Sequence, residues 1–131
     1  MSSTLTVQEA ISRAEAVLQD CAGPEAENDP RWLALIQIAD FIESDPLPVW
    51  SCIQTWGCSK DPDLRMAVAT CLLEHLLEHH FDQFISQVEE TAMRDTRFAD
   101  TVTLCWKFGQ AEEPTRVARL ERLQTALRRR T

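Results

Sequence analysis

The chain has 131 residues, 44% of them hydrophobic, and a formal net charge of −8. This length suits one globular domain, residues 1–131, with enough apolar side chains to build a core. Because an acidic surface repels phosphate, the composition disfavours general nucleic-acid binding.

Two features of the sequence predict a cytoplasmic protein. The opening residues, MSSTLT, lack the charged region and apolar run of a signal peptide, and no stretch approaches the ~20 apolar residues that span a membrane. The cysteines are odd in number and widely spaced, which indicates reduced core residues rather than a disulfide framework. They are Cys21, Cys52, Cys58, Cys71 and Cys105.

Apolar residues at helical spacing, together with Asp, Pro and Gly at the boundaries, predict seven helices. Their approximate bounds are Val7–Ala22, Pro30–Glu43, Leu47–Trp56, Pro62–His80, Asp82–Met93, Thr96–Phe108 and Pro114–Arg129. Thr6 and Glu9 form a predicted capping box at the first helix. After it, Gly23 and Pro24 lead into an acidic loop, residues 25–28.

The long run from Pro62 to Gly109 contains no other Gly or Pro. We predict a break in it near His80, because Asp82 offers a new N-cap and the apolar stripe restarts at Phe84. In the first part of this run, one set of polar residues is predicted to lie on the solvent face. These residues are Asp63, Thr70, Glu74 and Glu78.

Three acidic turns recur along the chain. Asp29-Pro30 precedes Asp61-Pro62 by 32 residues (61 − 29), and Asp95-Thr96 follows it by 34 (95 − 61). Each Asp is followed by a large apolar residue at the third position, a β-branched residue at the seventh and a small residue at the tenth. These sets are Trp32, Leu64 and Phe98; Ile36, Val68 and Val102; Ala39, Cys71 and Cys105. The pattern indicates an internal repeat, the alternative being three unrelated amphipathic helices.

The middle segment, DPDLRMAVA from Asp61 to Ala69, resembles the first helix of a HEAT-type repeat. That family has an acidic Pro turn, an apolar residue, an Arg and then small residues. Arg65 matches the Arg, which in the family bonds towards the acidic turn of a neighbouring repeat. Leu33 and Ala99 stand at the equivalent positions of the other two segments.

The resemblance implies an all-α, HEAT-like, right-handed stack of about seven helices. We expect three pairs, formed by helices two and three, four and five, and six and seven. The first helix would cover the exposed end, as terminal repeats require. The residues of the repeat turns are Asp29, Pro30, Asp61, Pro62, Arg65 and Asp95.

Charge is distributed unevenly. Residues 1–113 hold 7 Lys or Arg and 20 Asp or Glu (7 − 20 = −13), whereas residues 114–131 hold 6 Arg and 1 Glu (6 − 1 = +5). Three interpretations of this basic C-terminal helix stay open. Arg128, Arg129 and Arg130 could complement the helix dipole. The helix could dock on the acidic body of the same or another chain, or it could contact an acidic partner or nucleic acid.

One stretch, His75-Leu76-Leu77-Glu78-His79, fits the H-x-x-E-H spacing of inverted zinc peptidases. Histidines four apart share a helix face and can bind one Zn²⁺, with Glu78 as a base. Cys71 lies one turn earlier, so Cys71, His75 and His79 also suggest a structural zinc site. Because those peptidases are far larger and no distant third ligand is evident, we favour incidental histidines. No catalytic residue and no cofactor are predicted.

The four tryptophans, Trp32, Trp50, Trp56 and Trp106, occur at spacings typical of a core. Trp56 and Trp106 lie near helix ends and are also candidates to anchor a partner. Because helical stacks present a preformed curved surface, the leading prediction is a non-enzymatic interaction or adaptor module. Its acidic face would bind a basic protein, and a homodimer is also open.

Two other functions were weighed. HEAT-like stacks also occur in alkylation-repair DNA glycosylases, so a nucleic-acid-binding or DNA-repair-related protein is the alternative. This chain is shorter and its body acidic, which disfavours that interpretation. A zinc-binding protein using Cys71, His75 and His79 is a more remote alternative.

Overall fold

The computed structural model describes residues 5–18 and 29–129. Its α-helices are α1 Val7–Leu18, α2 Pro30–Ala39, α3 Pro46–Trp56, α4 Pro62–Val68, α5 Glu74–Arg94, α6 Thr96–Thr103 and α7 Pro114–Arg129. A π-helical turn, Ala69–Leu73, joins α4 to α5, and a 3₁₀ helix, Gly109–Glu112, precedes α7. Within the described ranges there is no strand, so the predicted all-α class is confirmed. Cys21, the Gly23-Pro24 stop and the loop at residues 25–28 lie outside these ranges.

The three acidic turns all cap helices. A carboxylate oxygen of Asp29 accepts the N–H of the second residue after it at 2.8 Å, and those of Asp61 and Asp95 do so at 2.9 Å. Pro30 and Pro62 follow directly, at a position where the missing N–H of proline has no intrahelical partner to lose. The sequence therefore identified three helix starts correctly.

The N-terminal helix packs differently from the prediction. The capping box is confirmed, because the Thr6 N–H donates to Glu9 and the Glu9 N–H to Thr6, both at 3.1 Å. However, the main neighbour of α2 is α1, not α3, so the predicted pairing of helices two and three is wrong. Ala10 and Ala14 of α1 are fully buried, and such small side chains allow two helices to approach closely.

The remaining helices form two groups around one core. In the first group α4 lies between α2 and α6, and in the second α5 lies between α3 and α7. Trp50 packs between two phenylalanines, with ring centroids 5.8 Å from Phe84 and 6.0 Å from Phe98. These aromatic contacts join α3, α5 and α6.

The chain breaks its helical course at His80, which has non-helical backbone angles (φ −140°, ψ 43°). The predicted break is confirmed, but the predicted cap is wrong, since Asp82 instead binds Arg116 at 2.8 Å. The side chain of Gln110 serves both sides of the break. Its Oε1 accepts the Phe81 N–H at 3.1 Å, and its Nε2 donates to the His79 carbonyl at 2.7 Å. Two backbone groups at the break thereby gain partners.

The π-helical turn changes which residues face inward. The Glu74 N–H bonds to the carbonyl of Ala69, five residues back, so this turn holds one more residue than an α-helical turn. Glu74, predicted on the solvent face, is only 6% exposed, while Leu72, Leu73, Leu76 and Leu77 are fully buried. The prediction for Glu74 was wrong because it assumed an uninterrupted period of 3.6 residues.

Two helices end earlier than predicted. Helix α2 stops at Ala39 and continues as turns through residue 44. Helix α6 stops at Thr103, not at Phe108, because tertiary bonds replace the helical ones. The side chain of Gln124 donates to the carbonyls of Val102 and Cys105, each at 3.0 Å. A side chain of α7 thus bonds one carbonyl near the end of α6 and one just beyond it.

The cysteines of the described ranges are free thiols. Burial raises the pKa of Cys52 and of Cys71 to about 11, and raises that of Cys105 well above its usual value. Since the thiolate is the reactive form, these three side chains are poor nucleophiles at neutral pH. No helix in the described ranges has the length and apolar character needed to cross a bilayer.

The break at His80 yields a first prediction. We expect Gln110→Ala to lower the free energy of unfolding by about 2 kcal/mol, because two backbone groups lose their side-chain partner. Urea unfolding followed by circular dichroism measures this change. The matched control Gln83→Ala removes an exposed glutamine of α5 and should shift the value by less than ~0.5 kcal/mol. Equal effects of the two variants would contradict the role given to Gln110.

Candidate interaction surface

A groove of about 380 Å³ lies between the end of α2 and the part of α5 before the break. We call it the acidic groove. Its lining residues are Ile36, Ala39, Asp40, Ile42, Glu43, His75 and His79. The two walls are joined by His80, whose Nε2 donates to the Ile42 carbonyl at 2.9 Å. The break in the long helix therefore helps to position the groove.

The two histidines predicted as zinc ligands lie in this groove, each beside a carboxylate. Nδ1 of His75 is 2.7 Å from Oε1 of Glu78, and Nδ1 of His79 is 3.2 Å from Oε1 of Glu43. The same Glu78 oxygen is 3.6 Å from Nε2 of His79. Two imidazole rings thus share the carboxylate of Glu78, and a second carboxylate faces His79.

The groove is negative and partly apolar. Among the residues that the structure describes, no Lys or Arg lines the groove, whereas Asp40 and Glu43 do. The Glu43 side chain is 76% exposed, so its carboxylate is accessible from solvent. Ile36 is 42% exposed and adds apolar surface beside these charges. Such a surface can bind a cationic group and cover the methylene carbons next to it.

An irregular segment, residues 104–108, borders the groove, and we call it the aromatic strap. The Phe108 ring stacks on His75, with centroids 5.8 Å apart and planes at 15°. Trp106 is 64% exposed, and Nζ of Lys107 lies 5.1 Å from the centre of its ring. Of these two rings, that of Phe108 lies against the groove, through its contact with His75. Aromatic side chains often supply much of the energy of protein–protein interfaces.

The strap is attached to the long helix at two points. The backbone N–H of Trp106 donates to Oε2 of Glu74 at 2.7 Å. At its other end, Gly109 has φ +52°, and a Cβ there would lie 2.5 Å from Cγ of Glu78 and 2.9 Å from the Glu78 carbonyl oxygen. Only glycine combines this backbone conformation with so close an approach.

Glu74 is a buried carboxyl, and no salt bridge joins it to a cation among the described residues. Burial raises its pKa, although the bond from the Trp106 N–H and the nearby His75 act in the opposite direction. The thiols of Cys71 and Cys105 lie close enough that the Glu74 charge helps to raise their pKa values. Glu74 therefore anchors the strap at an electrostatic cost.

The predicted site residues lie in different places. Cys71 is buried, whereas His75 and His79 reach the groove, and no three His, Cys, Asp or Glu side chains in the described residues are arranged to hold a metal ion. Trp56 packs partly against the core and lines a second groove, of about 500 Å³, between α1 and α3. Trp106 lines a different groove, whose other residues include Glu121 and Gln124 of α7.

The basic helix α7 docks on the acidic body of its own chain. Arg116 binds Asp82 and Arg119 binds Glu89, each at 2.8 Å. The guanidinium of Arg116 holds the pKa of the Asp82 carboxyl below its usual value.

In one of the three interpretations, the arginines at the end of α7 complement the dipole of their own helix. Arg128 donates to the Thr103 carbonyl at 3.2 Å, at the C-terminal end of α6 rather than of its own helix. Arg129 is exposed, and Arg130 lies outside the described ranges.

Arg65 connects two of the predicted repeats. Its Nε and one terminal nitrogen each lie 3.1 Å from Oδ2 of Asp100 in α6, and its other terminal nitrogen donates to the Ser59 carbonyl at 2.7 Å. The contact reaches the next predicted repeat, as the resemblance implied, but at Asp100 rather than at the acidic turn of Asp95.

Comparison with known proteins adds a family. Residues 22–127 match the model of DUF6869, a family of unknown function. The chain belongs to this family. No curated protein and no solved structure matches it. The DUF6869 match includes the acidic groove and the aromatic strap and begins after α1, so both surface features belong to the part of the chain that defines the family.

Sequence reasoning missed several residues of this surface. Asp40 and Glu43 follow an apolar helix three residues apart, and this spacing on a helical turn was the available signal. The sequence predicts Phe108, next to Gly109, as the end of a helix, whereas the structure places it in the strap. For Glu78, the H-x-x-E-H pattern did single out the carboxylate, but as a catalytic base.

Burial of Glu74 predicts a pH effect on stability. A carboxyl whose pKa is raised on folding stabilises the fold below its unfolded pKa, and this contribution is lost as the pH rises through the raised value. Wild type should therefore lose stability relative to Glu74→Gln, which keeps an acceptor for the Trp106 N–H, between about pH 4 and pH 7.5.

Urea midpoints at the two pH values measure this difference. The exposed Glu90→Gln provides the control, for which the difference from wild type should stay nearly constant. A Glu74→Gln difference that does not change with pH would refute the account of this carboxyl.

Proposed function

We propose that the protein is a non-enzymatic interaction module that binds a basic segment of a partner protein in the acidic groove. The observation that carries the proposal is the composition of the groove, which contains carboxylates and exposed apolar surface but no lysine or arginine among its lining residues. A cationic segment would gain ion pairs there and suffer no repulsion from a lining cation. Complementary charge of this kind selects partners and speeds their encounter.

The aromatic strap supports the same function. Phe108 is an exposed large side chain that stacks on His75, and Ile36 is exposed on the other side of the groove. A partner that covers them would bury apolar area while its charged groups pair at the rim. This combination of an apolar centre and a charged edge is common at protein–protein interfaces.

The charges on α7 favour a protein partner over nucleic acid. Binding to nucleic acid requires cations that are available to phosphate. Arg116 and Arg119 are already paired with Asp82 and Glu89. Together with the negative body of the chain, these pairs weaken the nucleic-acid alternative.

We also propose that the fold is HEAT-like. The side-by-side order of α2, α4 and α6, with α3, α5 and α7 as the second group, supports this, as do the three equivalent Asp caps. The free thiols of the described cysteines support a cytoplasmic location, where cysteines are kept reduced.

The proposal is tested with an array of 15-residue peptides of graded charge. We expect basic peptides to bind and acidic ones not to bind. Glu43→Lys should weaken the binding of basic peptides by roughly tenfold or more, because it places a like charge in the groove. Glu90→Lys changes the net charge equally at an exposed site of α5 and should leave the affinity within about twofold.

Two results would refute the proposal. One is the absence of any basic peptide that binds. The other is an equal loss of affinity in Glu43→Lys and Glu90→Lys, which would indicate attraction by net charge alone. Circular dichroism and urea midpoints must first show that both variants fold like wild type.

A further inference from the structure

We propose that α7 of a second copy of this chain binds in the acidic groove, through Arg122 and Arg129. This contact rests on the proposed function, because it uses the same groove and adds the identity of one occupant. It also assigns a role to the part of the basic helix that does not bind the body of its own chain.

The arginines of α7 fall into two groups. Arg116 and Arg119 each form a salt bridge with a carboxylate of α5 at 2.8 Å. Arg122 and Arg129 are exposed, and no salt bridge joins either of them to a carboxylate among the residues that the structure describes. Two positive charges on the surface of α7 are therefore accessible to an anionic surface outside their own chain.

These two charges share one face of the helix. Arg122, Ala126 and Arg129 are separated by four and three residues, a spacing that places them on the same side of α7. Ala126 is exposed between the two arginines, and its small side chain allows another surface to approach the helix closely. The exposed side of α7 is thus both basic and accessible.

A groove of about 440 Å³ lies beside this face, between α5 and α7, and we call it the basic groove. Its lining residues are Glu89, Met93, Arg119, Arg122, Leu123 and Ala126. Met93 is 52% exposed, so the groove offers apolar area next to its arginines. This area is important because exposed ion pairs alone contribute little to binding. Glu89 is already paired with Arg119 and opposes an acidic occupant less than a free carboxylate would.

The acidic groove has the complementary composition. Asp40 and Glu43 are exposed there, and Ile36 is 42% exposed beside them. Each groove therefore combines charge with one exposed large apolar side chain, and the two grooves differ in the sign of their charge. On docking, arginines would face carboxylates and Met93 would lie near Ile36. Complementarity of this kind selects one partner surface over others.

The two surfaces belong to different regions of one copy. The acidic groove involves α2 and the part of α5 before the break at His80, whereas the basic groove involves the other end of α5 and α7. A contact between them joins two copies head to tail, an arrangement that either closes into a ring or extends into a chain. Because each copy carries a net charge of −8, repulsion between the copies keeps the association weak.

Sedimentation equilibrium of the full chain tests this contact. Two variants each reverse one charge, Glu43→Lys in the acidic groove and Arg122→Glu in the basic groove. Either variant alone has surfaces of like charge and should self-associate at least ~tenfold more weakly than wild type. An equimolar mixture should associate to within about threefold of wild type, because α7 of the first variant keeps Arg122 and the acidic groove of the second keeps Glu43.

Two control variants make the same changes of net charge elsewhere. Glu90→Lys and Arg13→Glu alter exposed residues that line neither groove. Each control should self-associate within about twofold of wild type, and mixing the two should give no gain. Controls that weaken as much as the groove variants and recover on mixing would show that net charge alone drives the association, and would overturn the contact. Circular dichroism and urea midpoints establish beforehand that the four variants fold like wild type.

A second measurement depends on no variant. In a dilution series of ¹⁵N-labelled wild type, the amide signals of residues 36–43, 89–93 and 119–129 should shift together with concentration and fit one association constant. Concentration-dependent shifts confined to other regions, such as the groove between α1 and α3, would overturn the contact.

Failure of this contact is distinguishable from failure of the proposed function. Wild type that stays monomeric up to ~1 mM overturns the contact. Groove variants that do not restore association when mixed also overturn it. In either case the interaction module stands if basic peptides of the array bind wild type and lose affinity in Glu43→Lys. If no basic peptide binds either, both proposals fail.

Discussion

The amide of Gln110 is the contact on which the arrangement of the molecule depends most. It accepts the N–H of Phe81 and donates to the carbonyl of His79, on the two sides of the residue where the long helix breaks. Without Gln110 these two backbone groups would lose their partner within the protein. Because the same 3₁₀ helix places Gly109 against Glu78, this contact also fixes the strap beside the groove. The segment of Gln110 and Gly109 thus contacts both the helix break and Glu78, next to the candidate binding surface.

The position of the aromatic strap depends on the burial of a carboxyl group, which is unfavourable by itself. The π-helical turn brings Glu74 into the protein, where burial raises its pKa, and its carboxylate then holds the N–H of Trp106. The strap that this bond holds leaves two aromatic rings exposed. A simpler core with an apolar residue at position 74 would remove the bond to the Trp106 N–H. Irregular turns within helices are frequently found at functional sites, in accord with a surface maintained for binding.

The sequence predicted those features that are encoded locally. The caps at Asp29, Asp61 and Asp95, the capping box and the bounds of α7 follow from side chains that bond to nearby backbone, and the structure confirms them. Features that depend on residues distant in the sequence could not be predicted from local patterns. Gln124 ends α6 from 22 residues away, and a turn with one added residue moves Glu74 inward. The same limit applies to the candidate site, since the motif identified His75 and His79, while Glu43 reaches them from another helix.

The central claim is that the groove between α2 and α5 binds cationic segments. Its most direct test is an NMR titration of ¹⁵N-labelled protein with a basic peptide from the 15-residue array. The account predicts that the largest amide shifts occur at residues 36–43, 75–79 and 104–108, and that they saturate as the peptide is added. Shifts concentrated on α7, in the groove between α1 and α3, or spread evenly over the acidic body would contradict it.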